Sequence, residues 1–207
     1  GGMALAQGAA GVPPAILEAE AKGQKACSAQ DSLNSADARG RTRLHGAAKR
    51  GEAHRVEALL ANEAFSQAGA RDMKGRTALH LAAQGGSQGS LEAARALLTS
   101  DRFLEADAVD AKLWTALHVA ALHGHVDLVL ALLDSPRFAA AGRRDSEGFT
   151  ALHLAALKGH ADVAAAMSGH PRWHHGDSAD RRGQTALDLA LMRGHAEAAA
   201  AMLTDMN

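Results

Sequence analysis

The chain has 207 residues, 47% of them apolar but only 3% aromatic, with one cysteine and a formal net charge of −1. A single cysteine excludes an internal disulfide framework, and near-neutrality excludes a whole-molecule field that would draw the chain onto nucleic acid or an anionic membrane. Apolar runs such as 198–203 fall far short of a membrane span, and the apolar content comes mostly from Ala and Leu, which favours packed helices over a β-sandwich or barrel.

Residues 1–34 read as an N-terminal segment in which Pro13-Pro14 precede Ala15–Ala21, a short helix expected to cover the first unit of a repeat. From residue 35 to residue 207 the chain repeats itself. Thr-x-Leu-His recurs from Thr42, Thr77, Thr115 and Thr150, with Thr-Ala-Leu-Asp from Thr185, at intervals of 35, 38, 35 and 35 residues. Each string predicts a helix: Thr is a favoured N-cap, an Ala-rich turn or two comes next, and Gly51, Gly86, Gly124, Gly159 or Gly194 supplies the stop. A second amphipathic segment comes after each glycine, as in Val126-Asp127-Leu128-Val129-Leu130-Ala131-Leu132-Leu133, whose apolar positions fit one broad buried face.

Four connectors carry Asp-x-x-Gly just before the next Thr, at 37–40, 72–75, 145–148 and 180–183. Asp opens a turn whose last residue must tolerate positive φ, which explains both residue types at that spacing. The connector at 110–113 has Leu113 in the glycine position. Because Leu113 adjoins Trp114, the expectation is a turn of changed shape, with negative φ at Leu113.

This pattern closely resembles the ankyrin repeat, over about residues 35–203. The resemblance implies an all-α solenoid with short β-hairpin loops, an ankyrin repeat stack of five repeats at about 37–70, 72–108, 110–143, 145–178 and 180–207. Stacking is required in any case, since a unit of this size cannot bury its own apolar face. The period is about 35 residues where the family has 33, and an aromatic recurs in register after each of four second helices: Phe65, Phe103, Phe138 and Trp173. Their regular spacing points to packing between repeats. Three additional residues within Gln84–Ser90 predict a flexible bulge between two helices. In ankyrin repeats the motif His helps tie neighbouring repeats together, so Asp188 in its place implies a terminal repeat.

Candidate chemistry is sparse. Of twelve histidines, His45, His80, His118 and His153 are motif residues, and His125, His160 and His195 open second helices. His170, His174, His175 and Asp177 form one local cluster, without the spacing of a closed zinc site. Cys27 has no adjacent base, and no phosphate-cradling glycine loop occurs. The expectation is no catalytic residue, no metal and no cofactor.

The family's variable hairpin positions and the last two residues of each first helix line the concave side and usually contact partners. Carried onto this chain, 25 such positions include 11 Lys or Arg and one acidic residue. The partner-binding set expected from them is Arg39, Arg41, Arg50, Lys74, Arg76, Lys112, Trp114, Leu122, His123, Phe149, Leu157, Lys158, Arg181, Met192 and Arg193. Trp114 and Phe149 would be apolar anchors within a cationic rim. The function expected is a monomeric, cytoplasmic protein-binding module or adaptor whose partner presents an acidic, partly apolar segment. An anionic non-protein ligand, RNA or a phosphoinositide head group, is the alternative, weakened by the shortage of stacking aromatics. The long period, Ser-Pro-Arg-Phe-type connectors and heavy Ala use resemble bacterial members of the family more than animal ones, which implies an effector delivered to a host cytosol.

Overall fold

The computed structural model describes residues 29–203. The expected helix at Ala15–Ala21 and Cys27 lie outside the described residues. Eleven helices and no strands are found among those described. After α1 (Ala29–Asn34) come five helix pairs: α2 (Arg43–Arg50) with α3 (Ala53–Ala61), α4 (Ala78–Gly85) with α5 (Gln88–Thr99), and α6 (Ala116–His123) with α7 (Val126–Asp134). The series closes with α8 (Ala151–Lys158) and α9 (Ala161–Ser168), then α10 (Ala186–Met192) and α11 (Ala196–Leu203). First helices pack in the order α2, α4, α6, α8, α10, and second helices in the order α3, α5, α7, α9, α11, so the stack has two helical layers.

Local chemistry starts and stops each first helix. Every motif Thr is an extended N-cap whose backbone N–H is taken by the side chain three residues later, completing a reciprocal capping box. Gly51, Gly86, Gly124 and Gly159 end the first four of these helices in the left-handed region. Between caps, Ala82, Ala83, Ala120, Ala121, Ala155 and Ala156 have no solvent exposure, and their small side chains let neighbouring helices close on one another. Phe65, Phe103 and Phe138 are completely buried and Trp173 nearly so, at 6% exposure, inside one continuous core.

Two expectations are corrected. The segment 84–90 is not a flexible bulge: Gly86 ends α4, the Ser87 hydroxyl accepts the Ser90 N–H at 3.1 Å, and the added residues lengthen α5 to 12 residues. Side-chain capping gives these residues a helical register to join, so they extend an element instead of looping out.

The second correction concerns Leu113, which has φ of 63° and is the one non-glycine residue with positive φ among those described. Its turn keeps the shape of its sisters. Asp110 Oδ1 accepts the N–H groups of Lys112 and Trp114 at 2.8 and 3.0 Å, and the Leu113 N–H donates to the Asp110 carbonyl at 2.9 Å. Neighbouring turns are also joined tip to tip, by Ala111 N–H to Lys74 O at 2.9 Å and Ser146 N–H to Lys112 O at 3.2 Å. Left-handed backbone costs Leu about 1 kcal/mol, and several hydrogen bonds of comparable worth outweigh it. The remaining connectors likewise form hairpin-like turns without extended strands, and one isolated antiparallel bridge joins Ala179 to Thr185.

Candidate functional site

The hairpin turns and the C-terminal ends of the first helices form one face of the stack. Within each turn the aspartate is consumed locally: Asp72 Oδ1 accepts the N–H groups of Lys74 and Arg76, both at 2.9 Å, and Asp145 Oδ1 accepts those of Glu147 and Phe149, both at 2.8 Å. In the first two turns the other carboxylate oxygen is taken by an arginine, Arg41 on Asp37 and Arg76 on Asp72, each at 2.7 Å. The Arg41 side-chain hydrogen bond, with backbone donors, holds the Asp37 pKa down to about 2. Burial opposes ionisation of Asp72, yet the Arg76 side chain and the backbone N–H groups of Arg76 and Lys74 prevail and keep its pKa low.

The third and fourth turns replace arginine with aromatics. Trp114 is half-buried against the core; its Nε1–H donates to Asp145 Oδ2 at 2.9 Å and the Lys112 ammonium lies 4.7 Å from the ring centroid. Phe149 is also half-buried, with its ring stacked on His153 at 5.7 Å. Both aromatics of this face thus have neighbours on the side toward the stack.

Behind them runs a row of buried histidines. The N–H groups of Thr42, Thr77, Thr115 and Thr150 donate to Nδ1 of His45, His80, His118 and His153, at 3.1–3.2 Å. A nitrogen that accepts a backbone N–H carries no proton, so each ring is the Nε2–H tautomer. Nε2–H then donates across the repeat boundary to the carbonyls of Arg76, Trp114, Phe149 and Gln184, at 2.8–3.2 Å. Burial lowers all four pKa values, which keeps these rings neutral and structural. Asp188 takes the Thr185 N–H at 2.8 Å in the same way, but a carboxylate has no donor to offer a further repeat.

The expected partner residues separate into groups. Lys74, Arg76, Lys112, Trp114 and His123 surround a cleft of about 160 Å³ between the second and third helix pairs. Phe149, Leu157, Arg181, Met192 and Arg193 surround another of about 310 Å³ between the fourth and fifth. Arg41 and Arg50 instead border a hollow of about 680 Å³ on the outer face of the first pair, and Arg50 is paired with Glu52 at 2.8 Å. Arg39 and Lys158 are exposed, and Leu122 is half-buried, its carbonyl accepting His160 Nε2–H at 3.1 Å.

Of the local histidine cluster, His170 contacts Asp134 at 3.1 Å and His175 meets the Trp173 ring edge-on, so these two face different partners. Among the described residues no group of three or more His, Cys, Asp or Glu is arranged to hold a metal, and no helix is long and apolar enough to cross a membrane.

Sequence reasoning missed a second periodic device. Arg102, Arg137 and Arg172 each precede a buried aromatic and reach back to main-chain carbonyls of the preceding repeat. Arg172 is the clearest, with donors on Leu133 O, Ser135 O at 2.6 Å and Phe138 O at 2.7 Å. Arg102 clasps the carbonyls of Leu60, Asn62 and Phe65, and Arg137 that of Ser100. The signal was present as Arg-aromatic pairs 35 residues apart.

The family model described as "Ankyrin repeats (3 copies)" matches the chain over residues 16–108, 44–142, 87–172 and 138–207. No curated protein matches it.

Proposed function

Since the chain belongs to the ankyrin-repeat family, whose repeats are generally protein–protein interaction modules, we propose that it is a non-catalytic adaptor that binds an acidic, partly apolar protein segment. One observation carries this reading: after the internal ion pairs are subtracted, the face retains an uncompensated positive charge. Arg41, Arg50 and Arg76 are paired with Asp37, Glu52 and Asp72, whereas Arg39, Lys49, Lys74, Lys112, Lys158, Arg181, Arg182 and Arg193 form no ion pair among the described residues. Against these eight cations stand four carboxylates of the same turns without an ion pair among the described residues, Glu147 and the turn residues Asp110, Asp145 and Asp180. Unpaired cations beside half-buried apolar side chains favour a ligand that supplies both carboxylates and aliphatic groups.

A nucleic-acid ligand is disfavoured because base stacking needs open aromatic faces. Trp114 is covered on one side by Lys112 and Phe149 by His153. The partner-binding role extends to Leu122, His123, Leu157 and Met192 as the apolar lining, with Arg39, Lys74, Lys112, Lys158, Arg181 and Arg193 steering the approach. The adaptor acts as a monomer in the cytoplasm or, as a bacterial effector, in a host cytosol.

The test is titration of the protein with fluorescein-labelled 15-residue peptides of mixed Glu and Leu, and with counterparts in which Gln replaces Glu. Tighter binding of the Glu peptides, with an on-rate that falls strongly from about 50 to 500 mM salt, supports the reading. Equal binding of both sets at all salt concentrations overturns it.

A further inference from the structure

The fifth repeat lacks the arginine–carboxylate ion pairs of the first two, and the arginines it carries stand at other turn positions or beside a histidine. Arg41 and Arg76 occupy the site after the turn glycine and neutralise Asp37 and Asp72; the same site in the fifth repeat is Gln184. Asp180 is left with backbone donors, the N–H groups of Arg182 at 2.7 Å and Gln184 at 2.9 Å. At the end of the first helix, Arg50 pairs with Glu52, two residues on. Its counterpart Arg193 has His195 at that distance. Arg181 and Arg182 stand between Asp180 and the turn glycine, matching Ala38 and Arg39, and the exposed side chains of Arg181, Arg182 and Arg193 make no ion pair or hydrogen bond among the described residues.

All three border the 310 Å³ cleft whose apolar lining is Phe149, Leu157, Leu189 and Met192. Met192 is 68% exposed, and its sulfur receives the Gln184 amide at 2.9 Å, which holds it at the lip of the cleft. Two carboxylates also border the cleft, Glu147 on the fourth-repeat side and Asp180, which accepts the N–H groups of Arg182 and Gln184, on the fifth-repeat side. The smaller cleft between the second and third pairs is built differently: Arg76 there is already neutralised, and the cations without an ion pair are lysines. A guanidinium offers a fixed two-donor fork to a carboxylate, whereas an ammonium is a mobile, strongly hydrated point charge.

We infer that the cleft between the fourth and fifth repeats is the anchoring subsite of the groove, taking a carboxylate side chain of a protein segment on Arg181, Arg182 and Arg193 and a neighbouring aliphatic side chain on Leu157 and Met192. This rests on the reading of the groove as a protein-binding surface and adds where the segment is gripped. Glu147 repels the carboxylate from the fourth-repeat side, and on the fifth-repeat side three guanidiniums outnumber Asp180, so the acidic residue sits over the fifth repeat and the aliphatic one lies toward the fourth. Lys74 and Lys112 attract the segment without gripping it.

The test uses the full chain and the same Glu/Leu peptide, read by fluorescence anisotropy, with thermal melts to verify folding. Arg181→Ser/Arg193→Ser is expected to weaken binding at least tenfold, mainly through faster dissociation, and Met192→Ser about threefold or more. Lys74→Ser/Lys112→Ser is expected to slow association and change affinity less than threefold. A large loss in the lysine variant with none in the arginine variant overturns the subsite while leaving the groove reading intact. Equal losses also overturn the subsite, and no binding by the unaltered protein overturns both readings.

Discussion

His80 Nε2–H donates to the carbonyl oxygen of Trp114 at 2.8 Å, joining the start of one first helix to the turn that leads into the next. Because its Nδ1 already accepts the Thr77 N–H, His80 can make both bonds only while neutral. The same bond recurs at His45, His118 and His153, so the cohesion of the stack depends on four uncharged rings.

The stack is therefore expected to be acid-labile in a defined window. Burial lowers the native pKa of all four rings, while the unfolded rings titrate near 6.5. Their stabilising contribution is complete above about pH 6.5 and is lost as pH falls below it toward the lowered native values. Each ring contributes a slope approaching about 1.4 kcal/mol per pH unit. Urea midpoints at pH 7.5 and 5.5 test this; equal midpoints would refute it.

Trp114 couples repeats, since its Nε1–H is bonded to Asp145. Trp114→Phe is expected to lower stability by about 1 kcal/mol through the lost hydrogen bond, and Trp114→Ala by about 2–3 kcal/mol through the additional loss of packing. Urea melts that leave both variants at the wild-type midpoint would show that the indole contributes nothing to the stack.

Leu113→Gly relieves a left-handed leucine that is 40% exposed, and it gives the unfolded chain more freedom. These effects are each about 1 kcal/mol and opposed, so the expected change in stability is within about 0.5 kcal/mol of zero. Gly75→Leu puts the same strain into a sister turn, where an added Cβ would lie 3.2 Å from the Ala111 nitrogen, and is expected to cost more than about 1 kcal/mol. Denaturation showing Leu113→Gly as the more damaging of the two would contradict this account.

The Arg-aromatic pairs are expected to act on stability and leave the groove untouched. Phe138→Ala opens a fully buried cavity and should cost about 3–5 kcal/mol. Arg172→Lys removes a forked donor from several carbonyls and should cost about 1–2 kcal/mol, with peptide affinity unchanged. A changed affinity in a fully folded Arg172→Lys protein would place this residue in the binding surface.

The repeat, its helix caps, its turn glycines and its buried aromatics were all legible in the order of residues, because each arises from rules that operate within a few positions: a Thr cap, a glycine stop, an apolar face every turn. The pairing of Arg41 with Asp37 also lay within reach, being four residues apart. Three features depended on the assembled stack. Leu113 stays left-handed because bonds to Lys74 and from Ser146 hold both sides of its turn. The residues added near 84–90 became helix because α5 could extend along α3 and α7. Which cations remain without an ion pair was decided by the partners that folding placed beside each one. Local sterics can be read from neighbours in sequence, whereas the cancellation of charge and the tolerance of strain depend on groups that meet only after the repeats stack.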